Sequence, residues 1–141
     1  MFKDILLAVD LSEPGSWKRA LPAALELCMA SSAALHVISV LPAIDPRVSS
    51  YFPADANRKM LAEVADDLRG FVKQHVPAGV KVQDIVAQGK IYQEILAAAE
   101  RIGADLVVMA SHRPGVGDYL LGANAAHVVR HCPRSVMVVR G

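Results

Sequence analysis

The residues best suited to chemistry lie between Ser111 and Asn124, directly after a predicted buried strand. Three polar groups come first, a hydroxyl, an imidazole and a guanidinium: Ser111, His112 and Arg113. A helix is predicted to start at the end of the stretch, at Gly122, Ala123 and Asn124. Free N–H groups and the positive dipole end of a helix favour an anion there, and an arginine can add a charge-assisted contact. We therefore predict a phosphate site. The alternative is that Asn124 caps the helix and Arg113 is a solvated loop residue.

Other motifs in this region are incomplete. Gly117-x-x-x-x-Gly122 has P-loop spacing, but Ala123 stands where a P-loop needs lysine. Leu120 occupies the last glycine position of a dinucleotide fingerprint, and no Gly-x-Ser-x-Gly elbow is present. His127 and His131 have the spacing of two zinc ligands without the glutamate of a zincin, which indicates a structural pair. We predict no metal site and no catalytic residue. His112 is the candidate base for water, with shaping of the loop as its simpler role.

Five apolar runs of strand length alternate with four helical patterns along the chain. The predicted strands lie within 2–9, 33–41, 79–89, 104–111 and 135–140, and the helices within 16–32, 58–75, 91–102 and 123–131. Pro22 should kink the first helix or mark a late start, and Gly103 should end the third. Strictly alternating strands and helices predict a three-layer α/β fold, with an open, doubly wound parallel sheet between helices. We expect residues 1–141 to form a single domain.

The composition limits the classes of partner. The chain has 141 residues, 53% of them hydrophobic and 21% charged, with a formal net charge of +1. This balance gives no electrostatic reason to expect nucleic acid or an anionic membrane as a partner. Two cysteines without CxxC spacing favour reduced thiols. We expect neither a signal peptide nor a membrane span, and a cytoplasmic location.

The loops that follow the strands are the expected ligand region. Open α/β sheets bind ligands beyond the carboxyl ends of their strands, where the strand order reverses. Small and polar residues follow the first four strands, at 10–12, 39–42, 88–90 and 110–117. The alternative is that every strand must end in turn residues. The segment Pro42–Asn57 contains three prolines and reads as a long loop, which predicts a lid or a surface for a protein partner.

Three stretches of the chain resemble the universal stress protein family: "ILLAVDLSEPG", "LHVISV" and "ASHRPGVGDYLLGANAAHVVRHCPRSVMVVR". The resemblance spans the whole chain and is greatest to the bacterial F/G-type members. It implies an adenine nucleotide alpha hydrolase-like fold with strand order 3-2-1-4-5. It further implies ATP as ligand, accompanied by Mg²⁺, and a homodimer through the strand Ser135–Arg140.

The resemblance also implies which residues contact the nucleotide. Asp10 would face the adenine, Val37 would offer it backbone contacts, and Gly89 would border the ribose. Ala8, where many members have proline, and Ser12 would also belong to the nucleotide site. The phosphate side would comprise Ala110, Ser111, His112, Arg113, Gly122, Ala123 and Asn124. The usual ATP signature is Gly-x2-Gly-x9-Gly-Ser/Thr; here Ala110 and Arg113 replace two glycines, Ala123 replaces the hydroxyl residue, and one residue is missing.

These features predict a cytoplasmic stress-response protein that binds ATP as a sensor or switch in a homodimer, with little or no hydrolysis. Two alternatives remain open at this point. One is a dimer that binds only protein partners, favoured by the replaced glycines. The other is a slow ATPase or an enzyme related to the PP-loop proteins, which would need a catalytic constellation that the sequence does not display.

Overall fold

The computed structural model describes residues 1–111 and 120–140; for residues 120–123 it describes the backbone alone. Five strands form one sheet in which every neighbouring pair is parallel: β1 (Asp4–Ala8), β2 (Ala34–Leu41), β3 (Val82–Gln88), β4 (Leu106–Ala110) and β5 (Ser135–Val139). Their order across the sheet is β3-β2-β1-β4-β5. The parallel sheet and the strand order that the resemblance implied are both confirmed.

Within the described residues, five α-helices connect or flank these strands: α1 (Ala20–Ser31), α2 (Pro46–Ser49), α3 (Ala56–His75), α4 (Ile91–Ile102) and α5 (Leu120–His131). Pro22 lies in the first turn of α1, where proline is tolerated, so the late start is the correct interpretation. Gly103 ends α4 with a φ of 68°, a left-handed conformation that glycine adopts without strain. This helix end is as predicted.

The sheet is covered on both faces, which explains its unbroken apolar runs. Ile5 and Leu7 of β1 point to the face that α1 and α3 cover. Leu6 and Ala8 point to the opposite face, which α4 and α5 cover. Because successive side chains of a strand point to opposite faces, a central strand between two helical layers must be apolar at every position. β1 therefore anchors the residues that follow it.

Two predicted boundaries are wrong. α5 begins at Leu120 rather than Ala123, so Gly122 lies inside its first turn and does not mark its start. The segment Pro42–Asn57 is not structureless, because it contains α2 and the first residues of α3. The backbone N–H of Arg47 donates to Asp45 Oδ1, which caps α2 just before Pro46. Within 1–111 and 120–140, no helix combines the length and the apolar character needed to span a membrane.

Candidate functional site

The strand order reverses between β1 and β4. From β1 the chain proceeds to β2 and β3 on one side, then crosses to β4 and β5 on the other. Leu7 of β1 lies opposite Val108 of β4, so both strands deliver the residues after them to the same edge of the sheet. Crevices at such switch points are the usual ligand sites of open α/β sheets. The edge carries Asp10 and Ser12 from β1, and Ala110 and Ser111 from β4.

Asp10 organises the turn after β1. Its Oδ1 accepts hydrogen bonds from the backbone N–H of Ser12 at 3.1 Å and from the Ser12 hydroxyl at 2.6 Å. The hydroxyl of Ser16, which is fully buried, accepts from the Asp10 N–H at 2.8 Å and donates to the Asp10 carbonyl at 2.9 Å. Among the residues that the structure describes, none bonds Asp10 Oδ2. The turn thus holds one carboxylate oxygen in place and leaves the other available as an acceptor.

Both β1 and β4 end in a small residue at this edge. Ala8 and Ala110 are each 1% exposed, on opposite faces of the sheet. The chain stays paired beyond them, because Val9 N–H donates to Ile38 O at 2.9 Å and Ser111 N–H donates to Val139 O at 2.9 Å. Their methyl groups lie in the core, so these two alanines can contribute only backbone and small volume to a ligand site.

Val37 does not lie at this edge. It is fully buried in the middle of β2, opposite Leu7 on one side and Asp84 on the other. In a parallel strand, the N–H and C=O of one residue face the same neighbour. Leu35 N–H bonds Lys81 O and Leu41 O accepts from Gly89 N–H, so odd-numbered residues of β2 bond towards β3. The implied contact between the Val37 backbone and adenine therefore has no support from its position and stays a prediction.

Gly89 follows β3 and needs to be glycine. Its φ is 151°, and a Cβ there would lie 3.1 Å from the side chain of Glu94 in the first turns of α4. Gln88, just before it, exchanges two amide hydrogen bonds of 2.9 Å with Asn57. Sequence reasoning missed this pair, although an amide at the end of a strand and another near the start of a helix are the signal that could have indicated it.

Asn124 caps a neighbouring helix. Its Oδ1 accepts from the backbone N–H of Tyr92 at 3.2 Å, in the first turn of α4, whose own N-cap residue Lys90 offers no side-chain cap. The alternative that Asn124 caps α5 is wrong, since α5 begins four residues earlier. This contact gives Asn124 a structural role at the same edge where the resemblance implies a phosphate.

The helix pair α4–α5 also explains the two spaced histidines. The Tyr92 ring stacks on His127 with centroids 4.7 Å apart, and His131 follows at 6.0 Å. Lys90 Nζ lies 5.3 Å from the centroid of the same Tyr92 ring. Within the described ranges, no group of three His, Cys, Asp or Glu side chains is arranged to hold a metal ion. These histidines contribute to packing between α4 and α5.

Part of the predicted phosphate side lies outside the described residues. His112 and Arg113 fall in 112–119, and only the backbone of Gly122 and Ala123 is described, within the first turn of α5. The structure thus brings Asp10, Ser12 and the carboxyl end of β4 to one edge. Arg113 and His112 stay predictions.

The sequence pattern described as "Universal stress protein family" matches residues 1–140. Universal stress protein G of Escherichia coli O157:H7 is 31% identical over 143 residues, covering 99% of this chain and 100% of that protein. This likeness agrees with the F/G-type resemblance.

Solved structures show the same fold. The protein MJ0577, a universal stress protein of Methanocaldococcus jannaschii, superposes with a TM-score of 0.74 at 25% identity, covering 100% of this chain and 97% of that chain. A universal stress protein in complex with cAMP has a TM-score of 0.65 at 19% identity, covering 99% and 97%.

Proposed function

The chain belongs to the universal stress protein family, and on that premise we propose that it binds ATP at the edge formed by β1 and β4. The observation that carries the proposal is the turn at the strand-order reversal, where Ser12 holds Asp10 Oδ1 and leaves Oδ2 as an acceptor. A carboxylate accepts hydrogen bonds only, which suits the exocyclic amine of adenine. A relative with this fold was solved with cAMP, another adenine nucleotide, which supports the ligand class.

The residues present fit such a ligand. Adenine would lie beside Asp10, and the ribose would approach the backbone of Gly89. The phosphates would lie towards Ser111 and the start of α5, with Arg113 supplying a positive charge in place of a P-loop lysine. When bound, ATP supplies a polyanion at this helix start. Mg²⁺ would accompany the phosphates, since this ion usually keeps waters and substrate oxygens as ligands.

We further propose that binding serves a sensor in the cytoplasm and that hydrolysis is slow or absent. Nucleotide binding would act by changing a homodimer of the protein. β5 is the last strand of the sheet and pairs only with β4 among the described strands. Val138 of β5 is 37% exposed. An exposed apolar edge strand invites pairing with a second copy, and a two-fold dimer is the simplest closed arrangement.

Calorimetric titration with Mg-ATP tests the nucleotide proposal. We expect saturable binding at one site per chain, weakened about tenfold by Asp10→Asn, because the amide presents a donor as well as an acceptor. Asp66→Asn, an exposed carboxylate on α3 that pairs with Arg69, is the matched control and should leave the affinity unchanged. Absence of binding in millimolar Mg-ATP would refute the proposal. Steady phosphate release in the same solution would instead favour the enzyme alternative.

One observation favours the second candidate function, a dimer that binds only proteins. Asn124, an implied phosphate ligand, already uses its carboxamide oxygen to cap α4. If the phosphate side serves only to join α4 and α5, the edge needs no nucleotide. The calorimetric titration distinguishes the two candidate functions, because a dimer that binds only proteins would give no heat of binding with Mg-ATP.

A further inference from the structure

Exposed large hydrophobic side chains concentrate in one short stretch. The described residues include nine such side chains, and four of them lie between positions 48 and 60: Val48 (45% exposed), Tyr51 (83%), Phe52 (56%) and Met60 (37%). Single exposed apolar residues are ordinary, whereas a cluster of them marks a binding surface. This cluster lies in the 42–57 segment and the first turns of α3.

Two members of the cluster, Phe52 and Met60, line a pocket of about 400 Å³. Its lining is mainly apolar and comes from the segment around α2 and the start of α3: Ile44, Ser49, Phe52, Pro53, Ala54, Ala56, Asn57 and Met60. Small-molecule pockets usually measure 300–1,000 Å³ and are lined in the same manner. The volume therefore suits a small ligand.

The polar side chains that line the pocket are engaged elsewhere. Ser49 Oγ donates to the carbonyl of Pro46 at 3.1 Å. The Asn57 carboxamide exchanges two hydrogen bonds with Gln88, at 2.9 Å each. A ligand in the pocket would therefore find few donors or acceptors on these side chains, and burying its own polar groups there would be costly.

Four charged side chains near the pocket form two ion pairs. Arg47 bonds Asp45 at 2.9 Å, and Lys59 bonds Asp55 at 3.1 Å. The hydrogen bonds from Arg47 lower the pKa of Asp45, so this carboxylate stays ionised and paired with the guanidinium. A charged ligand would therefore find little unpaired opposite charge on these four side chains. A peptide strand would meet the same lack of hydrogen-bond partners for its backbone.

We propose that this pocket binds a small uncharged apolar molecule, an aromatic or branched aliphatic compound. The lining of the pocket includes none of the residues that the resemblance assigns to the nucleotide, and the proposal does not depend on ATP binding. Gln88 connects the two regions, since it holds the pocket through Asn57 and directly precedes Gly89.

Fluorescence titration of the full chain with phenylnaphthylamine tests the proposal. This uncharged fluorophore brightens in apolar surroundings. We expect saturable binding of one molecule per chain. Phe52→Ser removes a wall of the pocket and should weaken binding about tenfold, since the apolar contact between the ring and the bound molecule is lost. Tyr51→Ser is the matched control, because this neighbouring ring is more exposed and does not line the pocket.

A variant that fills the pocket distinguishes loss of the binding site from loss of the fold. Ala54→Trp should occupy the pocket and abolish binding while thermal unfolding stays unchanged, because Ala54 is exposed and precedes α3. Equal losses in the Tyr51 and Phe52 variants would overturn the proposal and indicate unspecific adhesion to apolar surface. Non-saturable binding would overturn it too. If Phe52→Ser converts a dimer into a monomer in light scattering, a second copy covers the patch and the proposal is wrong.

Discussion

The cap that Asn124 provides to α4 leads to a prediction that separates structure from ligand binding. Asn124→Ala removes the acceptor for the Tyr92 N–H, which lies 3.2 Å from Oδ1 in the folded protein. Lys90, the N-cap residue of α4, supplies no replacement. Loss of a helix cap costs about 1 kcal/mol, because a partly buried donor is left without its partner. For a chain of this length, that cost corresponds to a melting temperature about 4 °C lower.

Asn124→Asp should behave differently. The carboxylate keeps an acceptor for Tyr92 and adds a negative charge at the positive end of α4, which is worth about 0.3–1 kcal/mol. We therefore expect the Asp variant to be as stable as the parent or more so. Urea unfolding followed by circular dichroism at neutral pH measures both variants. Gln74→Ala, which removes an exposed amide on α3, is the control and should stay within about 0.5 kcal/mol.

The same pair of variants reports on the phosphate side. If Asn124 contacts a phosphate, the Asp variant should bind Mg-ATP more weakly despite its stability, because two negative charges would face each other. If its role is only to cap α4, the affinity should stay unchanged. The capping argument fails if Asn124→Ala leaves the unfolding free energy unaltered, or if Asp destabilises as much as Ala does.

Three further predictions concern other parts of the fold. Burial raises the pKa of the Cys28 thiol from 9.0 to about 11, so the unfolded chain loses this proton first as the pH rises. The free energy of unfolding should then fall by up to about 3 kcal/mol between pH 9 and pH 11, and urea titrations should show less of that fall in Cys28→Ala. Gln88→Ala removes the bonds to Asn57 and to the carbonyl of Pro42, and should speed hydrogen exchange across 42–57 while α1 exchanges as before. Val138→Lys places a charge on the edge strand and should yield monomers in light scattering at micromolar concentration, whereas an unchanged mass would exclude β5 as the interface.

The sheet was predictable from the sequence because strands that are buried on both faces have an apolar residue at nearly every position. "ILLAV" of β1 is such a run, and the structure buries all five of these residues to 2% exposure or less. Strand order does not follow from these runs alone. It came from the resemblance of the first and last stretches to a known family, and the sheet confirms it.

Helix ends and contacts between elements were harder to predict. Gly122 reads as a start signal, yet α5 begins before it, since the packing of a helix against its neighbours outweighs the preference of a single glycine. Asp45 and Pro46 start a short helix inside a segment that looked irregular. The cap on Tyr92 and the pair Asn57–Gln88 join residues about thirty positions apart, and no local pattern records such a contact.

The candidate site was predictable only in outline. The position of Asp10 after β1 is correct, because the carboxyl end of a central strand must lie at the switch point. Val37 was assigned through the resemblance, and the register of β2 places it four residues before the strand ends. The direction in which a strand residue bonds depends on its pairing partners, which the sequence of one strand does not contain.

A crystal structure of the protein grown with Mg-ATP tests the central claim most directly. We predict one nucleotide per chain at the carboxyl ends of β1 and β4, with the adenine amine within hydrogen-bond distance of Asp10 Oδ2 and the phosphates near the start of α5. A site that holds only solvent in millimolar Mg-ATP, or a nucleotide bound elsewhere on the chain, would contradict the account.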